Sequence, residues 1–206
     1  MKLLIAIPTL DFIHVLFMER LLRLAENLNK RGVNYEIKIK AGTLVYLARE
    51  ELTSYAIGNE FTHVLWLDSD MVFDDDIIDE LYDTGKDFVT AIFHARRPGH
   101  QSCIFKNLTP PDRYQWDEYP FDTFRIKGCG MAATLIKTEI LKDVRDHFGN
   151  CFTPAYNLGE DLAFCRRVDE LGGEIWAEPT VRVGHIGHIT IYPEDEGRYL
   201  NNLQRR

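Results

Sequence analysis

An α/β domain with a mostly parallel sheet flanked by helices is what this sequence of 206 residues predicts, on three observations. Short apolar runs alternate with amphipathic helical stretches from the N-terminus onward, the order that right-handed crossovers turn into a parallel sheet. One such run, His63-Val64-Leu65-Trp66-Leu67, ends at once in the carboxylates of Asp68-Ser69-Asp70, as a buried strand does when it delivers acids to its carboxyl end. A hydrophobic content of 45% against 27% charged residues is that of an ordinary globular chain, and the length suits one folding unit over residues 1–206.

Residues 2 to 7 form the first strand and run into the loop Pro8 to Asp11. Ile13, Phe17, Leu21, Leu24 and Leu28 then line one stripe of a helix, which Gly32 ends. Val33 to Ile39 alternates as a second strand, and Thr43 to Gly58 is a helix expected to turn Leu44, Leu47, Leu52 and Tyr55 inward. After the aspartate pair come a short helix from Asp74 to Asp83 and a strand from Lys86 to Phe93. Residues 94 to 123 hold Pro98, Pro110, Pro111 and Pro120 and are expected to be irregular, yet they are too aromatic for a disordered linker. Phe124 to Ile136 is strand-like but interrupted by Gly128 and Gly130, helices follow at Thr138 to Phe148 and Leu158 to Leu171, and the last strands are Glu174 to Ala177 and Thr180 to Val183. A charged tail begins near residue 189.

A formal charge of -8 argues against nucleic acid as the main partner, because phosphate binding needs a basic face. The five apolar residues between Lys2 and Pro8 are too few for a secretion signal, and no run of 18 apolar residues exists to span a membrane. Four cysteines without a C-x-x-C pair fit reduced thiols in an acidic, cytoplasmic enzyme rather than a zinc cluster.

Alternate residues of an extended segment point the same way, so Asp68 and Asp70 can share a divalent cation, or divide an ion and a sugar hydroxyl between them. The same tripeptide also fits a solvated turn capping the next helix, and its place after a strand favours the ligand site. Glu160 and Asp161 open a helix, where acids serve equally as caps or as a carboxylate base held ionised. His185 and His188 follow a strand amid glycines, and imidazole beside two aspartates is a normal ligand set for manganese. Thr9 and Asp11, at the end of the first strand, stand where a nucleobase would bind. Arg96 and Arg97 suit either a diphosphate or a solvated loop, and Tyr114, Trp116, Tyr119 and Phe121 suit sugar stacking or anchorage of the loop.

Four segments in order, Leu65-Trp66-Leu67-Asp68-Ser69-Asp70, Gly128-Cys129-Gly130-Met131, Gly159-Glu160-Asp161-Leu162-Ala163-Phe164-Cys165 and Val183-Gly184-His185, resemble the signatures of nucleotide-sugar glycosyltransferases with the Rossmann-like GT-A fold, of the family 2 type. The Val-Gly-His ending is also similar to that of the retaining peptide N-acetylgalactosaminyltransferases, which leaves the stereochemical outcome open. The resemblance implies transfer of a sugar from a UDP- or GDP-sugar to a hydroxyl on a glycan, protein or lipid-linked acceptor, with Mn²⁺ or Mg²⁺ as cofactor. It implies that Asp70 and His185 ligate the metal, that Asp68 touches the donor ribose or a metal-bound water, and that Arg49 lines the nucleotide pocket, for which simple pairing with Glu50, Glu51 or another acid is the alternative; Gly130, within Gly128-Cys129-Gly130, either lets the backbone approach the donor sugar or marks a bulge. Asp161 takes the base position of inverting members, with Glu160 beside it. Two other functions fit parts of the pattern. A haloacid-dehalogenase-like phosphohydrolase would use Asp68 as nucleophile and Asp70 as second acid, but its motif normally sits on a first strand, and a catalytically silent binder of nucleotide sugars or glycans would have no need of the acids at 160 and 161.

Overall fold

In the computed structural model, which describes residues 1–96 and 100–187, the chain builds twelve strands and five α-helices. They are β1 (Lys2–Pro8), α1 (Val15–Lys30), β2 (Asn34–Lys40), α2 (Val45–Gly58), β3 (His63–Leu67), β4 (Met71–Phe73), α3 (Ile77–Asp83), β5 (Phe88–Ala91), β6 (Ile104–Leu108), β7 (Pro111–Arg113), β8 (Phe124–Ile126), β9 (Gly128–Cys129), β10 (Ala133–Lys137), α4 (Thr138–Phe148), α5 (Glu160–Glu170), β11 (Ile175–Glu178) and β12 (Val183–His185). Arg97, His188 and the tail from about residue 189 lie outside the described residues.

Seven strands form the central sheet in the order β2-β1-β3-β10-β5-β11-β8. Five run one way, while β10 is antiparallel to both β3 and β5 and β8 is antiparallel to β11, so the sheet is mostly parallel with two reversals. Strand residues alternate between two cores, as a pleat requires. Leu4, Ala6, Val64 and Trp66 pack with Leu52 and Ala56 of α2, Leu141 and Val144 of α4 and Phe164 of α5. Leu3, Ile5, Ile7, Leu65 and Leu67 face the other way, onto Phe17, Leu21, Leu24 and Leu28 of α1 and Ile77, Ile78 and Leu81 of α3.

Three expectations drawn from periodicity are corrected. Helix α2 buries Ala48, Arg49, Leu52, Thr53 and Ala56, whereas Leu44 and Leu47 stand 60% and 40% exposed. Small residues at 48 and 56 let α2 approach the sheet closely, and Leu44 is left to the rim of a cleft. Residues 94 to 123 are more ordered than their prolines suggested. β6 pairs with β7 and β9 in a three-stranded sheet, Tyr114 and Tyr119 pack on the core, and Trp116 and Phe121 remain 78% and 94% exposed. The stretch from Phe124 to Ile136 divides among three different pairings, β8 on β11, β9 on β6 and β10 between β3 and β5.

Glu50, beside Arg49 in sequence, fixes the chain ahead of α5 instead of pairing with its neighbour. Its carboxylate accepts from the backbone amides of Cys151, Phe152 and Thr153, while Arg167 of α5 donates to the carbonyls of Cys151 and Thr153. The segment is thus held from both sides, and with it the start of α5. Glu50→Ala strands the amides of the buried residues Cys151 and Phe152, and a loss of about 2–4 kcal/mol in urea unfolding is expected. A change below about 0.5 kcal/mol would show that the clamp contributes nothing.

Candidate active site

The turn after β3 is fixed by backbone bonds on three sides. Asp68 N donates to the Ala132 carbonyl just before β10, Met71 N closes the turn onto the Asp68 carbonyl, and His14 N donates to the Ser69 carbonyl. Ser69 adds side-chain bonds: its hydroxyl donates to the Phe12 carbonyl and lies 3.1 Å from the Thr9 hydroxyl, which itself donates to the Phe12 carbonyl at 2.8 Å. The middle residue of the aspartate tripeptide therefore ties the loop after β1 to the loop after β3. Thr9 is occupied in that tie, and Asp11 is exposed on the cleft wall.

Asp70 and His185 meet because β12 pairs with β4. His185 lies opposite Met71, and Ile186 N donates to the Asp70 carbonyl. His185 Nε2 then stands 3.4 Å from Asp70 Oδ1, and Arg96 Nη1 stands 2.6 Å from Asp70 Oδ2. His185 Nδ1 lies 3.0 Å from the His94 carbonyl, which can only accept, so Nδ1 carries a proton, and a second proton on Nε2 makes the ring a cation that donates to Asp70. The Phe93 ring meets the imidazole edge to face at 6.0 Å, fixing its plane. Burial alone would depress the His185 value, but the hydrogen bonds to Asp70 and to the His94 carbonyl and the charge of Asp70 outweigh it and raise it. Burial works against the Asp70 carboxylate too, yet His185 and Arg96 hold it below its ordinary value.

Arg49 organises the other half of the site. It is 1% exposed and packs beside the Trp66 and Phe152 rings, which touch each other, with its guanidinium carbon 5.5 Å and 5.9 Å from their centroids. Nη2 donates to Asp68 Oδ1 at 3.1 Å and Nε lies 3.5 Å from Asp161 Oδ1, an ion-pair distance without hydrogen-bond geometry. Arg49 therefore lies behind the cleft and grips two carboxylates from beneath, rather than lining the nucleotide pocket as the resemblance implied. Burial pushes the Asp161 carboxyl up to about 7, Glu160 and Asp68 add to the rise, and Arg49 and the Met131 amide oppose it.

Two cavities flank this cluster. The larger, of about 460 Å³, is lined by residues 8–12 and 43–45 with Asp68, Ser69, Asp70 and Arg96. The smaller, of about 190 Å³, is lined by Glu160, Asp161, Gly130, Cys103 and Arg113 among others. A Cβ on Gly130 would come 2.7 Å from the Phe93 ring, so glycine is what lets the backbone pass that ring, while Asp161 Oδ2 at 3.6 Å would be in ordinary contact. Of the residues singled out in the sequence, the structure thus gathers Asp68, Arg49, Asp161, Glu160 and Gly130 in one group and Asp70, His185 and Arg96 in another. Among the described residues no group of three or more His, Cys, Asp or Glu side chains is arranged as a metal site, since Asp68 is turned toward Arg49. The pair Asp70 and His185 nonetheless has the chemistry of a divalent site, a carboxylate beside an imidazole whose far nitrogen is fixed by a carbonyl. Sequence inspection missed Ser69, His94, Phe93 and Arg113. Ser69 was visible within its tripeptide, but the His94 contribution is a backbone carbonyl and carries no side-chain signal.

No family model and no curated protein matches the chain. Among solved structures it is similar to A197 from STIV, with a TM-score of 0.61 and 19% sequence identity over 90% of this chain and 86% of that one. At that identity the likeness is one of fold, and it extends over nearly the whole of both chains.

The Asp70–His185 pair sets a pH dependence. A histidine raised above its ordinary 6.5 contributes stability that is full below that value and lost as pH climbs through the raised one, and an aspartate lowered below 3.8 contributes above 3.8 and loses it as pH falls through the lowered one. In EDTA, the stability gap between wild type and His185→Ala is expected to be widest between pH 3.8 and pH 6.5 and to narrow by about 1 kcal/mol toward alkaline pH. Thermal melts showing the same gap at about pH 6 and about pH 8.5 would refute a charged pair.

Proposed function

We propose that the protein is a metal-dependent glycosyltransferase with the GT-A fold, one that moves a sugar from a UDP- or GDP-sugar to an acceptor hydroxyl. The observation that carries this is the placement of Asp68 and Asp70 on a cavity large enough for a nucleotide, with Asp161 on a second cavity next to it and Arg49 joining the two. Site and fold agree in kind with open α/β sheets, which bind ligands beyond the carboxyl ends of their strands. The similarity to A197 from STIV supports the fold alone.

In this reading the nucleotide occupies the larger cavity, with Leu10, Phe12, Leu44 and Val45 offering apolar contact to the base and Asp11 a hydrogen-bond acceptor. Asp70 and His185 are the residues to hold Mn²⁺ or Mg²⁺, which when bound supplies Lewis-acid stabilisation of the departing diphosphate. Asp68, already held by Arg49, faces the donor from the strand end. The acceptor enters the smaller cavity. If the reaction inverts, Asp161 takes the proton of the acceptor hydroxyl, the oxygen bonds to the anomeric carbon, and the bond to the diphosphate oxygen breaks with its electron pair leaving on the nucleoside diphosphate. A value near 7 makes Asp161 a stronger base than an ordinary carboxylate while leaving it largely ionised above neutrality. The four free cysteines fit a reducing, cytoplasmic setting, and none of the described helices is long and apolar enough to cross a membrane.

Donor binding measured by calorimetry is expected to require Mn²⁺ or Mg²⁺ and to vanish in Asp70→Ala. Asp161→Asn should keep that binding and reduce turnover by about 10²–10⁴-fold. Release of inorganic phosphate instead of nucleoside diphosphate would favour a phosphohydrolase, and donor binding with no turnover of any acceptor would favour a silent binder. Because the base must be deprotonated, kcat/KM should climb with pH and level off above about 7. A profile that is flat across that value would remove Asp161 from the role.

A further inference from the structure

Both oxygens of Asp70 are already engaged by cationic or protonated partners, Oδ1 facing His185 Nε2 and Oδ2 bound to Arg96 at 2.6 Å. A divalent ion cannot take full possession of this carboxylate while a guanidinium holds one of its oxygens. Arg96 is the partner built to yield. Its side chain is 47% exposed, its other hydrogen bond among the described residues is a long 3.5 Å one from Nη1 to the Ile186 carbonyl, and its stem lies along Gly187, where a side chain would meet Cβ, Cγ and Cδ at 3.7–3.9 Å. His185 is anchored by contrast, with Nδ1 on the His94 carbonyl and Phe93 against its ring.

Charge in the larger cavity gives the same direction. Among the described residues lining it, Asp11, Asp68 and Asp70 are acidic and Arg96 is the one cation. A diphosphate entering such a cavity meets three carboxylates, so a guanidinium held on Asp70 would leave the phosphate oxygens without a counter-charge from the described residues that line it. Arg49 cannot supply it, being buried behind Asp68 and shared with Asp161.

We propose that Arg96 is an exchangeable counter-ion: it competes with the divalent cation for Asp70, and on losing that contest it transfers to the diphosphate of the donor. This rests on the glycosyltransferase reading of the site and adds to it a residue that opposes metal binding and favours nucleotide binding. The two effects have opposite signs, which a merely structural surface pair would not produce.

Calorimetric titration of Mn²⁺ alone, and then of UDP and GDP at saturating Mn²⁺, into wild type and Arg96→Gln tests both halves. Arg96→Gln is expected to bind Mn²⁺ about threefold to tenfold more tightly than wild type, and to bind the preferred nucleoside diphosphate about tenfold more weakly. Adding Asp70→Asn to Arg96→Gln should abolish the gain in Mn²⁺ affinity, locating the competition at this carboxylate. Unchanged or weaker Mn²⁺ binding in Arg96→Gln overturns the proposal, and so does undiminished nucleotide binding. If wild type binds a nucleoside diphosphate only with Mn²⁺ and Arg96→Gln behaves identically, the exchange falls and the transferase reading stands. If wild type binds neither Mn²⁺ nor nucleotide, both fall together.

Discussion

A guanidinium buried behind the strand ends constrains everything in front of it. Arg49 has no neutral form at accessible pH, so the fold can bury it only by bringing carboxylates to it. Asp68 comes from the end of β3 and Asp161 from the first turn of α5, two points 93 residues apart in sequence that the shared cation draws together. Trp66 and Phe152 close over the guanidinium, and Glu50 and Arg167 hold the segment that leads into α5, so the cation, its aromatic walls and its acids form one packed unit. Breaking one side of such a pair leaves an uncompensated buried charge, which is why the arrangement is rigid.

The second ionic group is of a different kind. Asp70 and His185 are brought together by a two-stranded pairing of β4 with β12 that stands apart from the central sheet, and their cation, Arg96, is 47% exposed where Arg49 is 1% exposed. A rigid acid pair behind and an exchangeable one in front suit a site that must hold its reacting geometry while admitting a charged ligand. The smaller cavity beside Asp161 adds Arg113, whose guanidinium covers the Phe105 ring at 4.3 Å and donates to the Ser102 carbonyl. It completes a wall that no single stretch of sequence outlines.

Several features were legible in the chain itself. The period of α1 matched the residues it buries, apart from Ile13, which precedes the helix, and the run from His63 to Leu67 became a strand carrying its acids at the carboxyl end. The face of α2 was misjudged because large leucines drew attention from Ala48 and Ala56, where small size decides how near a helix lies to a sheet. The loop from 94 to 123 concealed β6 and β7 because Pro110 and Pro111, which read as breaks, fall at the turn that joins the two strands, and because the third strand of their sheet, β9, lies more than a dozen residues further on. Strand polarity was equally hidden: nothing local in Ala133 to Lys137 says that β10 runs against both of its neighbours.

By itself, then, the sequence determined the class of fold, the acidic strand end and the acids opening α5, because each follows from local period, composition or spacing, and it placed His185 just after a strand at Thr180 to Val183 where the structure makes it the last residue of β12 (Val183–His185). Only the tertiary structure decided how those groups divide: Asp68 with Arg49 and Asp161, Asp70 with His185 and Arg96. The physical reason is that adjacent residues of a turn can face different partners, and which partners they find is set by strand pairing and by the need to neutralise a buried charge, neither of which is encoded within a few residues of the acids themselves.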